Sequence, residues 1–147
     1  MPPADYDEQL AQWRMPGLND AENTVAKRWL REKGRNYDRI DWNVPLGPRV
    51  DFPFEMTPEQ RAQAEFLYSS RADIVAWLGD DQATIIEVKY RLTKSAMGQL
   101  AHYVYWFQQK HPGVKVIARA IANYADRGIA EATLANGVDV ELYGEPE

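Results

Sequence analysis

Two carboxylates and one amine stand where a pair of strands would bring them together. Residues 72–78 and 83–90 are apolar segments separated by a Gly-Asp-Asp turn, a pattern typical of an antiparallel hairpin. Because Asp73 and Glu87 are equally distant from the middle of that turn, the pairing places them opposite each other. Strand side chains alternate between the two faces, so Glu87 and Lys89 are expected on the face that carries Asp73.

Such a group of charges suits the chemistry of a divalent cation. Two carboxylates that face each other repel, and a partly buried charge needs a partner. Hard cations such as Mg²⁺ bind carboxylate oxygens, water and phosphate, and they can stabilise charge on a phosphodiester and supply a bound hydroxide. Lys89 would then stabilise the charge that develops on the phosphate. The alternative is a solvent-facing Glu87–Lys89 ion pair at a hairpin end, which explains most chance matches to so common a set of residue types.

The wider pattern resembles the PD-(D/E)XK nuclease superfamily. The signature of that superfamily is an aspartate, a gap of one strand length, and then Glu-x-Lys. Residues 71–75 (RADIV) and 85–89 (IIEVK) match it, with Ala72 in place of the proline that the family carries before the aspartate. The resemblance implies a restriction-endonuclease-like fold and a metal-dependent nuclease that hydrolyses DNA phosphodiester bonds.

The resemblance also implies roles for particular residues. Asp73, Glu87 and the Val88 carbonyl would hold Mg²⁺, for which Mn²⁺ is expected to substitute, and Asp73, Glu87 and Lys89 would form the catalytic centre. Upstream, residues 20–34 resemble the first helix of the superfamily, in which a glutamate often joins the metal site. Glu22 is therefore a further candidate metal ligand; the alternative is a carboxylate that only favours the first turn of its helix.

A second motif follows on the helix after Lys89. Residues 99–103 (QLAHY) are similar to the Q-x-x-x-Y motif of exonucleases related to the RecB nuclease domain. Gln99 and Tyr103 are four residues apart, so they share one helix face, which we expect beside the carboxylates and away from the apolar stripe. The resemblance implies that they contact DNA or orient the site. In the alternative they are merely exposed while the opposite face packs on the sheet through Met97, Leu100, Val104 and Phe107.

Basic residues form two groups along the chain. Arg91 and Lys94 follow the second strand of the hairpin and are candidates for contact with DNA. An earlier group offers either a second contact with nucleic acid or a solvated helix face, and its members are Lys27, Arg28, Arg31, Lys33, Arg35 and Arg39.

Hydrophobic periodicity predicts an α/β protein with a mixed central β-sheet flanked by helices. Thr93 or Ser95 is expected to cap the helix that follows the hairpin, and Trp29 and Trp77 are expected in the core. The organisation predicted is an N-terminal arm at 1–19 with a short helix around 9–13, one domain at 20–143 with an insertion at 47–68, and a tail at 144–147. Outside the hairpin, helices are predicted at 20–33, 57–68, 95–110 and 126–135, and strands at 40–44, 114–121 and 138–142.

Composition narrows the class of protein. The chain has 147 residues, which suits one domain, and no cysteine, which excludes disulfides and thiolate metal sites. It has no apolar run of about 18 residues, so a cytoplasmic protein without membrane association is expected. The net charge of −5 argues against a protein that coats nucleic acid but not against an enzyme that holds a short stretch of DNA.

That acidic balance keeps a second class of function open. A non-catalytic structural or interaction module built on a nuclease-like fold, for example in a phage or nucleoprotein assembly, needs no broad basic face. The complete Asp-Glu-Lys set argues against this alternative. Strand preference, the choice between endonuclease and exonuclease, protein partners and oligomeric state are left open by the sequence.

Overall fold

The computed structural model describes residues 1–48, 52, 54–68 and 70–144. Seven strands and five helices are assigned within this part of the chain, with one turn of 3₁₀ helix (Gly34–Asn36) after the second helix. In chain order they are α1 (Tyr6–Ala11), α2 (Asp20–Lys33), β1 (Arg39–Pro45), α3 (Pro58–Tyr68), β2 (Arg71–Leu78), β3 (Gln82–Val88), β4 (Arg91–Leu92), α4 (Ser95–Lys110), β5 (Lys115–Ala122), β6 (Tyr124–Ala125), α5 (Ile129–Ala135) and β7 (Asp139–Leu142).

Five of the strands form one mixed sheet in the order β1-β2-β3-β5-β7. The first three strands pair antiparallel, and β5 and β7 continue the sheet in parallel with β3. One hydrophobic cluster unites α2 with the sheet through Trp29, Ile74 and Ile86, and a second unites α4 with the sheet through Leu100 and Phe107. The predicted class, a mixed central sheet flanked by helices, is therefore confirmed.

Helix α2 begins and ends where the sequence predicts. Asn19 accepts a hydrogen bond from the amide of Glu22, while the Glu22 side chain accepts one from the amide of Asn19, so each residue caps the other. At the far end Gly34 permits a close approach, since a Cβ there would lie 2.7 Å from a methyl carbon of Leu30 and 3.1 Å from the ring of Tyr6. Trp29 is completely buried and Trp77 nearly so, as expected.

The first nineteen residues pack against α2. The short helix predicted around residues 9–13 lies earlier, at Tyr6–Ala11, and Tyr6, Met15 and Leu18 are buried in the cluster that contains Trp29. The Lys27 amine donates hydrogen bonds to three carbonyls in and just after α1, those of Gln9, Leu10 and Gln12. The segment is thus part of the body of the fold and not a separate arm.

Three element ends differ from the sequence prediction. Neither Thr93 nor Ser95 caps α4, because the two hydroxyls lie 3.0 Å apart and hydrogen-bond to each other. Helix α5 begins at residue 129, not 126, since Gly128 precedes it with a left-handed φ of 78° that a right-handed helix does not accommodate. The short β4–β6 pair was not predicted, and β3 ends at Val88 instead of continuing to residue 90.

The predicted insertion lies between β1 and β2, which pair directly despite it. The β1–β2 ladder runs to Pro45 and Arg71, and the Leu46 amide donates to the Ser70 carbonyl at 2.8 Å. Residues 49–51 and 53 of this segment, and 145–147 of the predicted tail, lie outside the described residues. Within the described part of the chain, no helix combines the length and apolar character that crossing a bilayer requires.

Candidate active site

The β2–β3 hairpin has the register that its sequence predicts. Ile74 pairs with Ile86 and Val75 with Ile85, so continuation of the same register puts Asp73 across from Glu87. The ladder stops before that pair. Beyond it, the amide of Val88 donates to Oδ2 of Asp73 at 2.7 Å. A side-chain carboxylate therefore takes the place of a backbone acceptor at the end of the hairpin.

The two carboxyl groups interact strongly because both are withdrawn from water. Burial raises the pKa of Glu87 to about 9, and the negative charge of Asp73 contributes to this shift. Burial also raises the pKa of Asp73, to about 6, against the opposing effect of the hydrogen bond from the Val88 amide. At neutral pH the pair therefore carries close to one negative charge instead of two.

The hydrogen bonding of the Glu87 carboxyl group depends on whether it is protonated. When Glu87 is protonated, its carboxyl group hydrogen-bonds to Asp73. When it is ionised, Oε2 of Glu87 is buried without a hydrogen-bond partner among the described residues, and the whole residue is only 4% exposed. A buried oxygen of this kind is costly unless a proton or a cation is bound to it.

Lys89 provides one positive charge at the rim of this group. Its amine lies 3.6 Å from Oε1 of Glu87, and its side chain is about a quarter exposed whereas that of Glu87 is almost completely buried. One ammonium offsets one carboxylate at most. The structure thus brings the predicted residues Asp73, Glu87 and Lys89 together, and Glu87 is the most buried of the three.

Glu22 lies at the edge of the group. Its negative charge contributes to raising the pKa of Asp73, which places the first turn of α2 beside the hairpin end. One of its carboxylate oxygens is used to cap the helix, at 3.1 Å from the Asn19 amide. Within the described ranges, no three or more His, Asp or Glu side chains are grouped closely enough to hold a metal ion. A cation here would depend on two carboxylates and on backbone or solvent oxygens.

The donor set nevertheless fits a hard cation. Mg²⁺ binds oxygen ligands and often takes only one or two carboxylates from the protein, with water completing its shell. In a strand the amide and carbonyl of one residue point to the same side. The Val88 carbonyl therefore faces the Asp73 side of β3, as its amide does. Together with the unpartnered Oε2 of Glu87, this oxygen gives the site the chemistry that such an ion requires.

Helix α4 places Tyr103 against the same carboxyl groups. Burial, together with the negative charges of Glu87 and Asp73, raises the pKa of Tyr103 to about 12. Tyr103 is only 7% exposed and packs in the cluster of Leu100 and Phe107.

The predicted apolar stripe on α4 is confirmed at Leu100 and Phe107, which are buried, and Val104 packs against the same cluster. The expectation that Tyr103 lies away from this stripe is wrong, because Tyr103 is buried with them. Met97 and Val104 are only half buried. Gln99, one turn before Tyr103, is half buried, and its Oε1 has no donor among the described residues.

The cations predicted to contact DNA lie on the chain just after the hairpin. Arg91 is exposed and forms an ion pair with Asp126 at 3.1 Å. Lys94 is exposed at the residue that precedes α4. The earlier basic group is partly used within the fold. Lys27 on α2 bonds to carbonyls at the end of α1, as described above. Arg28 donates to the Tyr143 carbonyl, and its guanidinium lies over the Tyr143 ring.

One residue of the site escaped the sequence analysis. Asn43 lies on β1 between the pairs Trp42–Ile74 and Val44–Ala72, directly across from Asp73. Its φ of 55° is left-handed, which costs other side chains more than asparagine, and strained backbone of this kind often occurs at functional sites. The sequence carries no signal for it, because Asn43 occupies an ordinary polar position in a strand that alternates apolar and polar residues.

Comparison with known proteins identifies the fold. No protein-family model matches the chain, and no curated protein matches its sequence. Among solved structures, a complex of EndoMS with double-stranded DNA matches 92% of this chain and 49% of its own, with 14% identity and a TM-score of 0.50. A repair endonuclease from Pyrococcus abyssi matches over 66% of this chain and 50% of its own, with 16% identity and a TM-score of 0.44.

The chain therefore shares the fold of part of the EndoMS chain. It spans about half the length of each of these two proteins. At such low identity the likeness concerns the fold, and the chemistry has to be argued from the residues at the end of the hairpin.

Proposed function

We propose that this chain is a metal-dependent nuclease of the PD-(D/E)XK type that hydrolyses DNA phosphodiester bonds. One observation supports this most strongly: Asp73, Glu87 and Lys89 converge where the β2–β3 ladder ends, and Oε2 of Glu87 is buried there without a hydrogen-bond partner among the described residues. Two buried carboxylates destabilise a fold unless something neutralises them. A divalent cation does so and is also the group that phosphodiester hydrolysis uses.

The residues around the pair have complementary roles in this proposal. Asp73, Glu87 and the Val88 carbonyl would hold Mg²⁺ or Mn²⁺, with Glu22 as an outer ligand. When bound, the ion would stabilise charge on the phosphodiester and lower the pKa of the attacking water, so that it loses a proton more readily. The ammonium of Lys89, at the exposed rim, stabilises the charge that develops on the phosphate oxygens and orients the attacking water.

The polar groups of α4 extend the site. In line with the Q-x-x-x-Y resemblance, the Gln99 amide contacts the nucleic acid or braces the site. The Tyr103 hydroxyl remains protonated at any physiological pH because its pKa is raised, so it serves as a donor toward the carboxylate side of the site.

DNA is the proposed substrate. A structural match that covers 92% of this chain is a protein in complex with double-stranded DNA, which makes DNA the first polymer to test. Arg91 and Lys94 lie within five residues of Lys89 in the chain and are exposed, so phosphates next to the scissile bond can reach them. Exposed cations of this kind position the backbone and carry no sequence information.

A cleavage assay tests the proposal. Labelled DNA is incubated with the protein in Mg²⁺, in Mn²⁺ and in EDTA, and cleavage is expected only with metal. Asp73→Asn, Glu87→Gln and Lys89→Ala should each lower the rate by on the order of 10² or more, the usual cost of removing one electrostatic group from a transition state. Asp80→Asn is the matched control, since Asp80 is an exposed carboxylate in the turn at the other end of the hairpin.

Two outcomes would contradict the proposal. Wild-type rates in all three variants would show that the catalytic centre lies elsewhere. No cleavage by the wild-type protein with either metal would favour the alternative, a non-catalytic structural or interaction module on the same fold.

A further inference from the structure

Trp13 is the most exposed tryptophan of the described residues. It is 91% exposed, whereas Trp29 and Trp77 are buried. Tryptophan is on average a highly buried residue, because its indole ring removes a large apolar area from water. An almost completely exposed indole therefore requires an explanation.

The backbone that carries Trp13 is held firmly in place. The Asn23 side chain on α2 accepts a hydrogen bond from the Met15 amide at 2.8 Å and donates one to the Trp13 carbonyl at 3.0 Å. The Met15 side chain is 1% exposed and anchors the next turn of the segment in the core. The indole thus projects from a fixed position, and its exposure is not the result of a loose chain.

This segment borders the candidate active site. Gly17 packs so closely on Asn43 that a Cβ would lie 2.7 Å from its side-chain oxygen, and Asn43 stands across from Asp73 on the sheet. Asn23, which holds Trp13, directly follows Glu22, whose charge acts on Asp73. Gly17 and Glu22 therefore lie beside the end of the hairpin, and Trp13 belongs to the segment that leads to them.

A groove with an excess of positive charge adjoins the indole. It has a volume of about 520 Å³ and lies between the end of α1 and one face of α2, from Asp20 to Arg31. Its charged lining residues are Arg14, Lys27 and Arg31 against the single carboxylate of Asp20. Arg14 is paired with Asp20, and the Lys27 amine donates hydrogen bonds to three carbonyls. Arg31 is exposed and is therefore the cation of the groove most available to a ligand.

We infer that Trp13 stacks on an unpaired nucleobase of the DNA substrate while Arg31 binds the adjoining phosphate. A flat apolar ring beside a cation matches a nucleotide, whose base has two π-faces and whose phosphate is anionic. In a duplex those faces are covered by neighbouring base pairs, so the site selects DNA that has single-stranded nucleotides. The inference rests on the proposed function for the identity of the substrate.

A binding experiment without cleavage tests this site. The affinities of a labelled single-stranded oligonucleotide, an abasic oligonucleotide of equal length and a blunt duplex are measured by fluorescence anisotropy in EDTA. Trp13→Ala is expected to weaken binding of the single strand about 10-fold, within the range measured for loss of one stacked base. Trp13→Phe should lie between this variant and the wild type. Binding of the abasic strand and of the duplex should not change.

Tyr105→Ala is the matched control for loss of an exposed aromatic ring. Tyr105 is 54% exposed, and it lines a different groove, between α4 and β5. This variant should bind every oligonucleotide as the wild type does. Thermal melts of all variants should coincide with that of the wild type, because neither ring is buried.

The results separate this inference from the proposed function. Equal affinity of wild type and Trp13→Ala for the single strand would overturn the nucleobase site, as would an equal loss of affinity for the abasic strand. If the wild type still cuts DNA with Mg²⁺, the nuclease proposal survives that result. If Trp13 supports binding of the single strand but neither Mg²⁺ nor Mn²⁺ supports cleavage, the nucleobase site stands and the nuclease proposal fails.

Discussion

At the scale of single residues, Glu87 determines the behaviour of the candidate site. Its carboxyl group is buried and faces a second carboxyl group, and within the described part of the chain Lys89 is the cation that offsets its charge. A proton resolves this conflict in the absence of metal, and a divalent cation would resolve it by replacing that proton. Binding of metal is therefore expected to release protons and to strengthen as the pH rises.

The same residue makes the stability of the metal-free protein depend on pH. The folded-state pKa values of Asp73 and Glu87, about 6 and about 9, lie above the values of roughly 3.9 and 4.3 for unfolded chains. The folded protein thus binds these protons more tightly than the unfolded chain. Their contribution to stability is complete below about pH 4 and is lost as the pH rises through 6 and then 9.

A Glu87→Gln variant isolates this effect. Glutamine resembles the protonated acid, so in EDTA the variant should melt close to the wild type at pH 5 and clearly above it at pH 9. Thermal melts across this range measure the difference, with Asp80→Asn as the control that should follow the wild type. A difference that stays constant from pH 5 to pH 9 would mean that Glu87 is ionised in the folded protein as it is in the unfolded chain, which would contradict the raised pKa.

At the scale of elements, α4 combines packing in the core with the role proposed for it at the site. Tyr103 lies in the buried stripe, so replacement by alanine would remove a packed ring and cost on the order of 3 kcal/mol of stability. Tyr103→Phe keeps the ring and removes only the hydroxyl. Gln99 is half buried at the end of the stripe nearer the start of α4 and can be truncated with less effect on the core.

We expect Tyr103→Phe and Gln99→Ala to reduce DNA binding or turnover more than thermal stability. The reason is that the polar groups lost lie toward the carboxylates, while most of the packing is retained. Steady-state cleavage and a thermal melt of each variant check this, with Gln108→Ala, on the exposed side of α4, as a control. Normal cleavage by both variants would reduce the Q-x-x-x-Y resemblance to a packing motif.

The elements show what the sequence could and could not predict. The hairpin register followed from the position of one turn, because pairing on either side of a tight turn leaves few alternatives. Tyr103 was misplaced because an amphipathic residue suits both a wet and a dry position. The packing of Tyr6, Met15 and Leu18 was missed because their spacing has neither helical nor strand periodicity. Asn43 depends on a backbone conformation that only the assembled sheet reveals.

At the scale of the whole molecule, metal binding should be visible as stability. A ligand that binds only the folded form stabilises it by RT ln(1 + [L]/Kd), about 2.7 kcal/mol at a hundredfold excess over Kd. For a domain of this size, each kcal/mol raises the melting temperature by roughly 2–4 °C. Mn²⁺ is therefore expected to raise the melting temperature by several degrees, and both Asp73 and Glu87 should be required.

Thermal melts of the wild type, Asp73→Asn and Glu87→Gln with Mn²⁺ and with EDTA measure this. The Asp80→Asn variant should retain the full response. Equal responses to Mn²⁺ in the wild type and in both site variants would place the bound cation elsewhere, and the non-catalytic module would become the better account of the fold.

The pairing between the end of β1 and the start of β2 has a consequence for how this protein can evolve. Pro45 and Arg71 are paired, and Leu46 is hydrogen-bonded to Ser70, so both ends of the intervening segment are anchored in the sheet. The entropy of closing a loop grows only with the logarithm of its length. Lengthening or exchanging this segment should therefore destabilise the β2–β3 hairpin little. New recognition surfaces can be acquired at this position during evolution while the residues of the candidate site stay unchanged.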